Sequence, residues 1–287
     1  MKMGKHDEFI MTPISSVIRE AVTSSFGIGV GINTFPVSEY VMQSLFIKMT
    51  GFQEQKLKCI VWEIATNNLN YRRTLLSGTE QLGEYSNYQA KNIIYKRLIE
   101  AIKIYDENFA VEEYVDRKII LENSLSVVKE ILKGTNLSQW SQKKFKYFMD
   151  AKITEENQFM LNDTLFKEPP NSNQMPKEPN RILKFHSEKE KERYLGKQNE
   201  YKMKMTSYTN NINYNLKLKY EELYLNRNRL AHNVKSYQKN LPSLNILRNE
   251  NDESRNYYIW FFVLNLIDSV FIELYKLYVL KLEESIL

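Results

Sequence analysis

Apolar residues recur three or four positions apart through most of this chain, which is the spacing of one face of an α-helix. After Ser38, a residue type that caps helix N-termini, the first such face consists of Val41, Leu45, Phe46 and Met49. After Gly51, a second face consists of Leu57, Ile60, Val61, Ile64 and Ala65. We therefore predict an antiparallel helix pair that begins at Ser38 and turns at Gly51.

The same spacing predicts further helices at about 88–105, 111–133 and 138–150, the last capped by Ser138. Helical spacing of apolar residues resumes near Glu200 and continues through Tyr220, Leu223 and Leu225 to Arg227. Apolar and polar residues do not alternate with period two between turn residues anywhere in the sequence, so no sheet is predicted.

The last helix, Tyr257 to Leu282, is apolar on most faces. Its length matches a bilayer, but three charged residues interrupt it, and charges at membrane depth are costly: Asp268, Glu273 and Lys276. Such a helix is typical of the centre of a bundle, or of a bundle and a dimer interface together. The predicted fold class is all-α, a helical bundle with a long apolar C-terminal helix and no membrane association.

Residues 154–198 differ in composition from the helical segments. Four of the seven prolines fall here among Asn, Ser, Lys and Glu residues: Pro169, Pro170, Pro176 and Pro179. This composition predicts a polar loop insertion on the surface. Its end, Ser187 to Arg193, alternates in charge, which is typical of a solvated helix.

The chain divides into an N-terminal arm, residues 1–37, and a helical bundle, residues 38–285. The arm contains Gly27-Ile28-Gly29-Val30-Gly31, which looks like a nucleotide-binding loop at first sight. However, no strand is predicted before it, no Lys-Ser or Lys-Thr follows, and Pro36 interrupts a helix opening there. A flexible turn or short hairpin is favoured over a phosphate-binding loop.

Composition adds three constraints to this pattern. With 9 glycines and 7 prolines among 287 residues, the chain favours long helices. Its net charge of +5 is compatible with a polyanionic partner. The single cysteine, Cys59, lies in an apolar run and excludes an intramolecular disulfide or a thiolate zinc cluster.

The charged start, Met1 to Glu8, lacks the apolar core of a secretory signal, so a cytoplasmic protein is expected.

The best candidate for chemistry is Arg227-Asn228-Arg229-Leu230-Ala231-His232, just before the apolar last helix. Arg181 and His186 have the same spacing, so spacing alone does not identify a site. Two features distinguish the motif at Arg227. Asn228 adds an amide next to the arginine, and Asn228 and His232 share a helix face. Two interpretations follow: a phosphate-directed site, or an exposed polar turn that ends a helix.

Arg-Asn-x-x-x-His near the end of an all-helical chain, followed by one long apolar helix, resembles the higher eukaryotes and prokaryotes nucleotide-binding (HEPN) superfamily. The resemblance covers this motif and the helical layout around it. It implies a metal-independent endoribonuclease with Arg227, Asn228 and His232 as catalytic residues, acting in microbial antiviral defence, abortive infection or as a toxin. It also implies a homodimer whose composite active site joins two motifs, with an inhibitory or activating partner protein. A HEPN subgroup modified by a partner nucleotidyltransferase has Tyr two residues after the histidine, where this chain has Val234.

The residue types suit this chemistry. An imidazole titrates near neutrality and serves acid–base catalysis, so His232 can act on the 2′-hydroxyl or on the leaving oxygen. The Arg227 guanidinium can grip two phosphate oxygens and stabilise the transition-state charge, and Asn228 can orient the imidazole or bind the phosphate. The expected product is a 2′,3′-cyclic phosphate, with no cofactor. Two alternatives remain: a catalytically inactive HEPN-like module that binds RNA, nucleotide or protein, and an unrelated helical interaction protein.

Other candidates have simpler explanations. Glu39 and Glu63 could turn carboxylates toward the site, but solvated positions are expected for both. Lysines and aromatic residues interleave at 143–148 and could bind an RNA backbone, although an ordinary amphipathic helix explains them equally well. His6 and His186 lack a second imidazole at ligand spacing, so no metal site is predicted.

Overall fold

The described part of the chain winds its helices around a C-terminal helix that is buried on most faces. A computed structural model describes residues 6–25, 34–79, 82–133, 158–161, 163–180, 186–213, 215–232 and 257–285. The helices before the insertion are α1 (Asp7–Met11), α2 (Ser15–Ser25), α3 (Phe35–Asn67), α4 (Leu69–Leu76), α5 (Tyr88–Lys103), α6 (Val111–Tyr114) and α7 (Arg117–Lys133). Strands β1 (Phe159–Leu161) and β2 (Thr164–Phe166) follow, then α8 (Glu188–Asn213), α9 (Leu216–His232) and α10 (Tyr257–Glu284). The predicted all-α fold class is confirmed.

Helix α10 forms the core. By length and composition it could cross a membrane, but 89% of its most apolar 18-residue window is buried inside the protein. Helices α3, α5, α7 and α9 pack around it. A helix that is apolar all round needs neighbours on every side, and this bundle supplies them. The prediction of a buried central helix is therefore confirmed.

The predicted helix pair at 38–65 is wrong, because α3 is one continuous helix of 33 residues. It starts before Ser38, with Pro36 in its first turn, where the missing N–H is not needed. Gly51 lies exposed inside the helix. Glycine costs about 1 kcal/mol relative to alanine in a helix, which burial of the residues on either side outweighs. At about 1.5 Å per residue, α3 spans roughly 50 Å and reaches most of the bundle.

Asparagine and aspartate caps decide several helix boundaries. Asn87 accepts a hydrogen bond from the Ala90 amide at 2.7 Å and starts α5. Asp116 accepts from Lys118 and Ile119, which divides the predicted helix 111–133 into α6 and α7. Asn215 accepts from Leu218, so the helix expected to continue unbroken from Glu200 is instead α8 followed by α9.

The predicted insertion is only partly a loop. β1 and β2 pair antiparallel with Phe159 opposite Phe166, and both side chains are buried. The Phe166 ring stacks on Tyr88 of α5 at 5.8 Å, and the Phe166 amide donates to the Tyr88 hydroxyl at 3.1 Å. The prediction of no sheet is therefore wrong for this hairpin, whose short strands give too little alternation to detect. The charged helix expected at 187–193 is confirmed as the start of α8.

The N-terminal residues are tied to the core by buried polar contacts. The Tyr275 hydroxyl donates to Asp7 at 2.6 Å. Lys56 and Asp268, each 1% exposed, form an ion pair at 2.6 Å. Lys56 also donates to the Thr12 carbonyl at 2.7 Å, and Asp268 accepts from the Ile14 amide at 2.8 Å. Burial lowers the pKa of Lys56 and raises that of Asp268, while their mutual attraction opposes both shifts.

Candidate active site

Helix α9 presents the Arg-Asn-x-x-x-His motif at its C-terminal end. Its first turns are anchored, because Asn215 donates to the Lys167 carbonyl after β2 at 3.0 Å and Leu216, Tyr220 and Leu223 are buried. Helices α3, α5 and α10 pack against α9. The motif is therefore carried on a rigid element whose start is buried and whose end emerges toward solvent.

Arg227 is held by two polar partners. One guanidinium nitrogen, Nη1, donates to Asn228 Oδ1 at 2.9 Å, and the other, Nη2, lies 3.3 Å from Glu54 Oε2 of α3. The side chains of Arg227 and Glu54 are 21% and 22% exposed, so the pair is accessible at one edge. These contacts hold the guanidinium in one orientation while leaving it open to a ligand.

Glu54 is shared between two cations. Its Oε1 also pairs with Lys58 Nζ at 2.9 Å, one helical turn along α3. Glu54 alone therefore does not neutralise both Arg227 and Lys58, which leaves the guanidinium able to attract an anion such as a phosphodiester.

Asn228 binds the arginine next to it. It accepts a hydrogen bond from Arg227. It also forms a hydrogen bond with the Tyr224 hydroxyl, and this bond lowers the pKa of Tyr224. The hydrogen bond from Tyr224 to Glu84 and the burial of the hydroxyl raise that pKa by more, so its value lies above the ordinary one. Tyr224 donates to Glu84 at 2.8 Å. The structure thus gives Asn228 a role in orienting the guanidinium, in addition to the functions expected from the sequence.

His232 is the last residue of α9, and its imidazole lies outside the described part of the chain. At 3.6 residues per turn, positions 227 and 232 are separated by about 140° around the axis of α9, whereas positions 228 and 232 differ by about 40°. Positions 227 and 232 therefore lie on different sides of α9.

Glu54 is the site residue that sequence reasoning missed. The carboxylates considered were Glu39 and Glu63, and the side chain of Glu39 lies outside the described part of the chain. The solvated position expected for Glu63 is wrong: it is buried and pairs with His6 Nδ1 at 2.7 Å. In the sequence, Glu54 and Lys58 resemble any exposed pair one helical turn apart, and only the crossing of α3 and α9 distinguishes them.

Of the other Arg-x4-His spacing, Arg181 to His186, the structure describes only the histidine. His186 is exposed just before α8, and its backbone amide donates to Glu190 at 2.7 Å. Arg181, residues 138–150 and the glycine pattern at 27–31 lie outside the described residues. The buried thiol expected at Cys59 is confirmed, and burial raises its pKa.

Within the described residues, no group of three or more His, Cys, Asp or Glu side chains is placed to hold a metal ion. Comparison of the chain with known protein families, with curated proteins and with solved structures found no match. The function must therefore be argued from the site itself.

Proposed function

We propose that this protein is a metal-independent endoribonuclease whose active site contains Arg227, Asn228 and His232. The observation that supports this most directly is the Arg227 guanidinium, oriented by Asn228 and Glu54 and still partly exposed. A fixed, accessible guanidinium can hold two oxygens of a phosphodiester and stabilise the charge that develops in the transition state.

In the proposed reaction, the 2′-oxygen of a ribose attacks the adjacent phosphorus as its proton passes to a base. The bond from phosphorus to the 5′-oxygen of the next nucleotide breaks, and an acid donates a proton to that leaving oxygen. The products are a 2′,3′-cyclic phosphate and a free 5′-hydroxyl. A neutral imidazole can accept the first proton, and an imidazolium can donate the second.

A homodimer completes this proposed site. One imidazole cannot easily act on the 2′-hydroxyl and on the leaving oxygen at the same time, and positions 227 and 232 lie about 140° apart around α9. Two copies of α9 related by a two-fold axis would supply two imidazoles and two guanidinium groups to one cleft. A mixed dimer with one His232→Ala subunit would keep a single imidazole, so an excess of His232→Ala protein should suppress the activity of wild-type protein as mixed dimers replace wild-type dimers.

On the resemblance of the motif to HEPN ribonucleases, the proposal includes a role in microbial antiviral defence, as an abortive-infection effector or a toxin. In that setting an inhibitory or activating partner protein would control the nuclease. A cytoplasmic location belongs to the same proposal, because the RNA substrate is found there.

The test is cleavage of total RNA in EDTA by the wild-type protein, His232→Ala, Arg227→Ala and His186→Ala. We expect the wild type and the His186 control to leave 2′,3′-cyclic phosphate ends, while the two motif variants remain folded and inactive. Equal activity in all four, or a requirement for metal, would refute the proposal. RNA binding without cleavage by the wild type would instead favour a catalytically inactive HEPN-like module.

A further inference from the structure

Lys91 of α5 is a buried lysine, and the part of the chain that the structure describes gives it no carboxylate partner. Its side chain is 1% exposed, and its Nζ donates to the Tyr85 carbonyl at 3.0 Å. The nitrogen lies 5.3 Å from the centre of the Tyr220 ring. Among the described residues, no carboxylate forms an ion pair with it. A buried charge without a paired charge is unfavourable, so Lys91 needs an explanation beyond packing.

The charges that act on Lys91 come from three helices. Burial lowers its pKa to about 7; Glu54 of α3 raises the pKa, Arg227 of α9 lowers it, and Asp268 of α10 raises it. The two strongest of these charged neighbours are thus the members of the Glu54–Arg227 pair. Because water is excluded around Lys91, a positive charge on its nitrogen interacts with the Glu54–Arg227 pair more strongly than it would through solvent.

Tyr220 of α9 contacts Lys91. Its ring faces the ammonium, and its hydroxyl donates to the Ser86 carbonyl, next to the carbonyl that Lys91 binds. Tyr220 and Arg227 are seven residues apart, two turns along the same face of α9. Tyr220 therefore links Lys91 to the face of α9 that leads, two turns further on, to the partly exposed guanidinium of Arg227.

We propose that Lys91 is a proton-binding positioning residue, incompletely protonated in the free protein, that takes up a proton from solvent when a phosphodiester binds at Arg227. This inference rests on the proposed function. An anion at Arg227 offsets the positive charge that opposes protonation of Lys91, and the ammonium in turn attracts the anion. Lys91 does not touch the substrate. It acts through the electric field that it adds near Arg227, and its positive charge increases when a phosphate is present.

The proposal predicts pH-dependent binding. The test uses a 2′-O-methylated RNA oligonucleotide, which cannot be cleaved, and His232→Ala protein, which removes the titrating imidazole. Fluorescence anisotropy should show that affinity falls as the pH rises from 6 to 9, by about tenfold for each unit by which binding raises the Lys91 pKa. Adding Lys91→Met should give weak binding that no longer changes with pH. Adding Lys91→Arg should remove the pH dependence with the charge retained.

Lys96→Met is the matched control, because Lys96 is exposed on the same helix. It should keep the pH dependence of its parent. A second measurement, NMR titration of ¹³Cε-labelled lysine with the signal assigned through Lys91→Arg, should give a Lys91 pKa near 7 that rises when the oligonucleotide binds.

The outcomes separate this inference from the function on which it rests. If the oligonucleotide binds but its affinity does not depend on pH, or if Lys91→Met retains the dependence, Lys91 is not the proton-binding group and the nuclease proposal stands. If neither the parent nor any variant binds the oligonucleotide at any pH, both proposals fall.

Discussion

Glu54 of α3 and Arg227 of α9 are 173 residues apart in the chain and lie 3.3 Å from each other. Glu54 has a second cationic partner in Lys58, so it cannot neutralise Arg227 completely. The arrangement orients the guanidinium and preserves its attraction for an anion. This relationship connects the fold, which crosses α3 with α9, to the proposed chemistry.

Replacing the carboxylate tests this relationship. In Glu54→Gln the amide can still accept a hydrogen bond from Arg227, but the charge that holds the guanidinium is lost. We expect RNA cleavage to fall by about tenfold, the scale of one misaligned transition-state contact, with a stability change below about 1 kcal/mol. Single-turnover cleavage and thermal unfolding measure the two quantities.

The matched control is Glu100→Gln, whose carboxylate pairs with Arg97 on the exposed face of α5. It should leave cleavage unchanged. If Glu54→Gln cleaved RNA as fast as the wild type, orientation of Arg227 by Glu54 would have no role in the reaction.

The Lys56–Asp268 pair should dominate the response of the core to mutation. Asp268→Asn leaves the Lys56 ammonium buried without a counter-ion, which should lower the free energy of unfolding by about 3–5 kcal/mol. The double variant Lys56→Met/Asp268→Leu removes both charges and should recover most of that loss. Urea unfolding followed by circular dichroism measures both effects.

The exposed pair formed by Glu273 and Lys276 on α10 provides the comparison. Lys276→Met should change stability by less than about 1 kcal/mol. A single Asp268 variant as stable as the wild type would show that the buried ion pair does not contribute as described.

The native pKa of Lys91, about 7 against an ordinary value of 10.5, predicts a pH-dependent stability difference from Lys91→Met. Above pH 10.5 the lysine is neutral in both the native and the unfolded state. As the pH falls toward 7, the unfolded state binds a proton that the native state excludes, so the wild type loses stability relative to the variant. Each pKa unit contributes about 1.4 kcal/mol, and below pH 7 the difference becomes constant.

Denaturant unfolding of the wild type and Lys91→Met between pH 6 and pH 10 checks this expectation, with Lys96→Met as the exposed control. The gap between wild type and Lys91→Met should widen as the pH decreases to 7. A gap independent of pH would mean that Lys91 titrates alike in the two states.

Gly51 offers a prediction about α3 alone. A Cβ at this position would meet no atom within 4 Å, so Gly51→Ala should stabilise the protein by about 0.5–1 kcal/mol through improved helix propensity. Gly78, with φ +68°, is the contrasting site, and Gly78→Ala should destabilise the protein by about 1 kcal/mol. Thermal unfolding of both variants distinguishes a continuous helix from a turn at Gly51, where alanine would be unfavourable.

Local patterns in the sequence were sufficient to predict the helical class and the burial of α10. Helical periodicity depends on residues three or four apart, and a helix apolar on every face can only be stable when surrounded. The adjacent Arg227 and Asn228 could be identified for the same reason, since their contact joins neighbouring residues of one helix.

The continuity of α3 through Gly51 and the β1–β2 hairpin were decided by packing. Glycine is a strong local signal for a turn, but buried side chains on both sides of Gly51 outweigh it, and Phe166 packed against Tyr88 holds the hairpin, whose strands precede the four prolines. The tertiary structure alone placed Glu54 beside Arg227 and enclosed Lys91 beneath them. Such contacts depend on how helices that are distant in sequence cross. The periodicity of apolar residues within one helix does not predict which polar residues of two helices will be in contact.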